Sequence, residues 1–107
     1  MPSAWLEQIL KEFRQGLERI YGSRLVNVIL FGSQARNDGQ PDSDIDVMVV
    51  LRGAVDPNEE IRRVSPLSSG LSLQHNVVIS CVYISENDFH GEASPLLLNV
   101  RREGIAV

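Results

Sequence analysis

Gly32-Ser33-Gln34-Ala35-Arg36-Asn37-Asp38-Gly39-Gln40-Pro41-Asp42-Ser43-Asp44-Ile45-Asp46 joins two apolar runs, Leu25–Phe31 before it and Ile45–Leu51 at its end. Both runs are short and rich in β-branched residues, which predicts buried strands and not core helices. Across residues 32–43 the composition shifts to Gly, Ser, Asn, Asp, Gln and Pro. Pro41 biases Gln40 away from the helical region, so a loop is expected there, after at most one helical turn. The second run is almost unbroken, as in a central strand covered on both faces. Asp46 interrupts it, and a carboxylate in such a place needs a physical reason.

Residues i and i+2 of a strand face the same way, so Asp44 and Asp46 are expected to project side by side. Two carboxylates that close repel, and ionising both is costly unless a cation lies between them. A hard divalent ion supplies that charge, and Mg²⁺ characteristically takes one or two carboxylates together with substrate phosphates. Gly32 lets the backbone approach a ligand closely, and N–H groups at a turn or helix start suit phosphate oxygens. The Ser33 hydroxyl adds a donor. Arg36 lies in the same loop, where it either neutralises phosphate charge or points to solvent, and Ser43 helps to fix the turn before Asp44. These parts together suit phosphoryl or nucleotidyl transfer, where catalysis is mostly positioning and charge stabilisation by metal. Asp-x-Asp pairs and Gly-Ser turns are each common alone. Their order, each at a strand terminus, is the informative feature.

The flanking sequence fits around these strands. Trp5, Ile9, Phe13, Leu17 and Ile20 recur at three- and four-residue steps, with Leu6 and Leu10 widening the stripe, which predicts a helix capped by Ser3 and stopped at Gly22. A turn over 52–57 leads to a helix over roughly residues 59–73, expected to kink or split at Pro66 and Gly70. Residues 77–84 read as a third strand. Ser85 then caps a short acidic turn, residues 93–102 form a last helix ending at Gly104, and 105–107 add a short edge strand. The order places helices against a small mixed sheet in one domain spanning 1–107, an α/β (α+β) arrangement. Trp5, Phe13 and the Leu96-Leu97-Leu98 run are expected in the core, the last also offering a partner-facing stripe.

Composition removes several other classes. With 107 residues, 43% hydrophobic and 22% charged, the chain has the profile of an ordinary globular domain. No apolar run is long enough for a membrane span, and the amino terminus mixes charged with apolar residues, so a cytoplasmic location without membrane contact is expected. A net charge of −4 disfavours a broad basic face and hence direct nucleic-acid binding. The Arg62-Arg63 and Arg101-Arg102 pairs read as solvated helix faces. The lone Cys81 lies in an apolar run and reads as a small buried hydrophobe. His75 and His90 form no zinc-like cluster; both read as surface residues, His75 being the one placed to serve as a base near the third strand.

Gly32-Ser33, ten residues, then Asp44-x-Asp46 resembles the signature of the DNA polymerase β nucleotidyltransferase superfamily. The fuller string, with Ala35-Arg36 and Ser43-Asp44-Ile45-Asp46-Val47, is similar to its minimal nucleotidyltransferase (MNT) branch, small proteins often encoded beside a HEPN-domain ribonuclease. The resemblance covers nearly the whole chain. It implies a nucleotidyltransferase (polymerase β-like) fold, Mg²⁺ held by catalytic Asp44 and Asp46, and ATP bound through Gly32 and Ser33. It further implies an antitoxin that transfers AMP from ATP to a tyrosine of a HEPN-family toxin, in a hetero-oligomer. One departure stands out. The superfamily usually carries a third carboxylate on a neighbouring strand, yet between Leu71 and Ser85 there is no Asp or Glu, and Asn76 or Ser80 holds the expected place. Two other readings follow: a binding module that neutralises its toxin by occlusion, or transfer to a small molecule or an RNA end.

Overall fold

Side-chain alternation along β2 (Ile45–Leu51) organises the computed structural model, which describes residues 4–36, 44–91 and 94–107. Ile45, Val47, Val49 and Leu51 are buried on one face, with Val28 and Leu30 of β1 (Leu25–Phe31) and with Leu6, Ile9, Leu10, Phe13 and Leu17 of α1 (Ala4–Tyr21). Met48 and Val50 face the other way, into a second cluster with Ile29 of β1 and with Leu97 and Val100 of α5 (Pro95–Glu103). A side chain as completely buried as Phe13 protects on the order of 3–5 kcal/mol against truncation.

The sheet has four strands in the order β3-β2-β1-β4, with β3 spanning Ile79–Ser85 and β4 Ile105–Ala106. β1 runs antiparallel to both β2 and β4, whereas β3 is parallel to β2. A parallel neighbour needs a crossover, and α3 (Pro57–His75) supplies it. α1 and α3 cover one face. The short α4 (Glu86–Gly91) and α5 lie against the other. The mixed sheet flanked by helices matches the expectation from sequence.

Several local expectations change. α3 is one continuous helix, not split at Pro66 and Gly70. Val64 and Leu71 anchor it on the core while Pro66 sits on its exposed side, and its start is fixed by an Asp56 cap accepting from the Asn58 N–H at 3.1 Å. One turn in, the buried Glu60 carboxylate accepts from the Tyr21 hydroxyl at 2.9 Å and from Arg63 at 3.1 Å. Tertiary packing thus outweighs the roughly 3 kcal/mol that an interior proline costs a helix. Asn76 closes α3 in the left-handed conformation (φ 55°), so β3 starts at Ile79, later than expected. Trp5 is 43% exposed and not a core residue. Of the three leucines in α5 only Leu97 is buried, because three consecutive positions cannot share one face of a 3.6-residue helix. Ser85 does cap α4, accepting from the Asp88 N–H at 3.1 Å. Ser3 and Ala93 fall outside the described residues.

Gly104 ends α5, donating its N–H to the Val100 carbonyl at 2.8 Å. A Cβ there would run into that same carbonyl and into Ile29 Cγ2. A backbone oxygen cannot step aside as a side-chain tip can. Gly104→Ala is therefore expected to cost about 1–3 kcal/mol, read as a lower urea midpoint at unchanged slope. An unshifted midpoint would show that the contact relaxes.

Candidate nucleotide site

β1 and β2 pair with Phe31 opposite Asp46, at the end of the sheet where the intervening segment leaves β1 and enters β2. Directly opposed residues of an antiparallel pair share a face, so Phe31 and Asp46 stand together on the α5 side. Gly32 follows Phe31 with φ +74°, a left-handed conformation that glycine adopts without a steric penalty. That turn starts α2 (Gly32–Arg36). It also brings the Gly32 α-carbon under the Asp46 carboxylate: a Cβ on residue 32 would overlap Asp46 Oδ2. Absence of a side chain at residue 32 is thus a requirement of the local geometry.

Asp46 is half-buried, whereas Asp44, just before the strand, is exposed. Burial, and then the negative charge of Asp44, push the Asp46 carboxyl above its ordinary range. Both causes are those a bound cation relieves. Two hard carboxylate oxygen donors, one partly desolvated in β2 and one exposed just before it, fit a divalent ion that keeps open positions for phosphate oxygens. Among the described residues no group of three or more His, Cys, Asp or Glu side chains is placed to hold a metal. The fit is to a site with two protein carboxylates.

The raised pKa carries a stability consequence. The ionised form of Asp46 is disfavoured in the folded chain, so the contribution of this group is present below the unfolded-state range and is lost as pH rises through the raised folded value. Without divalent metal, Asp46→Asn is expected to raise the melting temperature at pH 7, the gain fading as pH falls below roughly 4, where an ordinary aspartate is protonated too. Thermal melts in chelator at both pH values measure it. A lower melting temperature at pH 7 would contradict the assignment of strain to this carboxylate.

The other expected residues divide. Ser33 lies within α2 beside Gly32. Arg36 is the last residue of α2, and the position of its side chain, like all of Ser43, falls outside the described residues. Of the two candidates for the neighbouring-strand position, Asn76 ends α3 and does not belong to β3 at all. Ser80 pairs with Asp46 in the parallel β2–β3 register, so Phe31, Asp46 and Ser80 form one row across the sheet. Sequence alone left the two open, because only the register decides between them. His75 is not at this site: its Nε2 lies 3.2 Å from Glu12 Oε2, in a contact between α3 and α1. Cys81 faces the opposite side of β3, where burial pushes its thiol up to about 11, the behaviour of an inert thiol.

Comparison with known proteins gives this geometry its context. Residues 10–95 match the family described as nucleotidyltransferase domain. A Methanocaldococcus jannaschii protein named "Putative protein adenylyltransferase MJ0604" is 39% identical over 84 residues, which cover 78% of this chain and 78% of that protein. A crystal structure of a toxin–antitoxin with AMP-PNP has a TM-score of 0.63 at 21% identity, over 88% of this chain and 68% of that one. A complex of a tri-AMPylated Shewanella oneidensis HEPN toxin with an MNT antitoxin gives 0.61 at 17% identity, over 94% and 69%. At those identities the structural likeness establishes the fold. With the match along the sequence itself, it follows that this chain belongs to the nucleotidyltransferase domain family and is a nucleotidyltransferase.

Proposed function

We propose that this chain is a Mg²⁺-dependent adenylyltransferase that moves AMP from ATP to a tyrosine hydroxyl of a HEPN-family toxin, and so acts as its antitoxin. The observation that carries this reading is the Asp46 carboxylate seated on Gly32, with Asp44 beside it, where β1 and β2 meet. Asp44 and Asp46 would hold the ion, which supplies positive charge against the triphosphate. The Gly32-Ser33 turn receives phosphate oxygens through backbone N–H groups and the serine hydroxyl, and Arg36 and Ser43 stand in the same segment as further nucleotide contacts. In the transfer, the acceptor oxygen forms a bond to the α-phosphorus as the bond from that phosphorus to the bridging oxygen breaks. Pyrophosphate leaves, and the hydroxyl proton passes to solvent.

Support comes from two directions. Relatives carry adenylyltransferase, AMP-PNP and AMPylated HEPN-toxin descriptions. A phenol, with an ordinary pKa of about 10, is also the most acidic of the side-chain hydroxyls, which suits a site where the β3 residue opposite Asp46 is the neutral Ser80. The reading takes residues 1–107 as a single minimal domain, in the cytoplasm, in a hetero-oligomer with the toxin and without direct nucleic-acid contact. No helix of the described residues is long and apolar enough to cross a membrane.

The test is transfer of label from α-labelled ATP to the co-encoded partner, with and without Mg²⁺. Label on a tyrosine that depends on Mg²⁺ is expected; none on any partner residue would reject the reading. A second reading, neutralisation by occlusion, is favoured by the neutral Ser80 in the Asp46 row. Full suppression of toxin activity by an Asp44→Asn/Asp46→Asn chain at equal expression would select it.

A further inference from the structure

We infer that Ser80 limits this site to one divalent ion, which enters together with the triphosphate. The inference rests on the nucleotide-site reading above and adds how many ions the site holds and in what order they arrive. Its basis is the row Phe31, Asp46, Ser80. Asp46 has one neighbour on each flanking strand. On the β1 side that neighbour is an apolar ring, packed with the α5 cluster. Among the described residues, β3 is the other strand that flanks Asp46, and there the chain places a neutral hydroxyl.

The surroundings strengthen the point. β3 is the outer strand, and Val82, two residues along the same face, is 37% exposed, so the ground beside Ser80 is open to water. An ion placed on this side would meet one carboxylate already shared with the nucleotide-bound ion. Its remaining protein ligand among the described residues would be an uncharged oxygen. Mg²⁺ gives up its water reluctantly, and the number of charged ligands sets cation affinity over orders of magnitude. Such a position does not compete with bulk water. The same reasoning applies before the nucleotide arrives: two carboxylates, one of them exposed, leave most of an octahedral shell to water. Phosphate oxygens fill it, so ion and triphosphate bind as a unit.

Counting Mn²⁺ by electron paramagnetic resonance tests this without reference to turnover. The titrations use the folded chain alone and with a non-hydrolysable ATP analogue. The expected result is one Mn²⁺ per chain that binds tightly only when the analogue is present, after allowing for Mn²⁺ bound by analogue free in solution. Ser80→Asp is expected to add a second ion and to raise affinity for Mn²⁺ without nucleotide by roughly 10-fold or more, as a third charged ligand would. Ser80→Ala, which keeps the position neutral, is expected to match the parent chain. Two tight ions in the parent chain would overturn the inference while leaving the nucleotide-site reading intact. So would a Ser80→Asp chain with an unchanged melting transition that gains no ion. If Ser80→Asp fails to fold, the parent stoichiometry still decides. No analogue-dependent Mn²⁺ at all would instead reject the nucleotide-site reading beneath it.

Discussion

Asp46→Asn is expected to lower AMP transfer by about 10³-fold or more, because the proposed ion and the charge it would set against the triphosphate both depend on that carboxylate. Asparagine keeps the size and one oxygen acceptor, so the loss isolates the charge. The desolvated position beneath which Gly32 passes makes Asp46 the more demanding of the pair. Asp44 is exposed and less constrained, so Asp44→Asn should lose less. Groups that act as a unit are not additive, and the double variant is expected to fall about as far as Asp46→Asn alone. Initial rates at saturating ATP and Mg²⁺ measure all three. Transfer by Asp46→Asn within about tenfold of the parent would place the chemistry elsewhere.

Gly32→Ala should lose both stability and activity, for separable reasons. A φ of +74° costs an L-residue about 1–2 kcal/mol. That part appears as a lower denaturation midpoint. The added methyl also overlaps Asp46 Oδ2 and must push that carboxylate off its position. A displacement of about 1 Å is enough to cost roughly 10²-fold in rate. Gly53 gives the control: its φ is +84°, yet a Cβ there meets nothing within 4 Å. Gly53→Ala should therefore show the backbone cost with normal transfer. Equal activity loss in both variants would mean that instability, and not the Asp46 contact, explains the Gly32 result.

The parts of the fold written locally in the chain were legible without coordinates. β1 and β2 announce themselves because β-branched runs bounded by glycine and aspartate have few alternatives, and α1 because its apolar stripe keeps a helical period. α3 was harder, since Pro66 and Gly70 argue locally for a break while burial of Val64 and Leu71 on a partner helix is a tertiary fact. Trp5 shows the opposite failure: its spacing fits the stripe, but a position near a helix end can remain in phase and still overhang the core.

The candidate site divides along the same line. Gly32, Ser33, Asp44 and Asp46 could be picked out because they bracket one connection between adjacent strands. What no local pattern contains is the overlap of Asp46 with residue 32, or the choice of Ser80 over Asn76. The first depends on how β1 pairs with β2 at a single residue, the second on the parallel register set by the α3 crossover. His75 looked near the third strand along the chain, but it closes against Glu12 on the far layer.

The most direct test is isothermal titration of a non-hydrolysable ATP analogue into the chain in Mg²⁺ and again in chelator. Binding in Mg²⁺ that weakens by at least about 10-fold in chelator, and likewise in Asp44→Asn/Asp46→Asn, is the predicted result. Equal affinity in all three titrations would contradict the claim that the paired aspartates exist to hold a cation against phosphate.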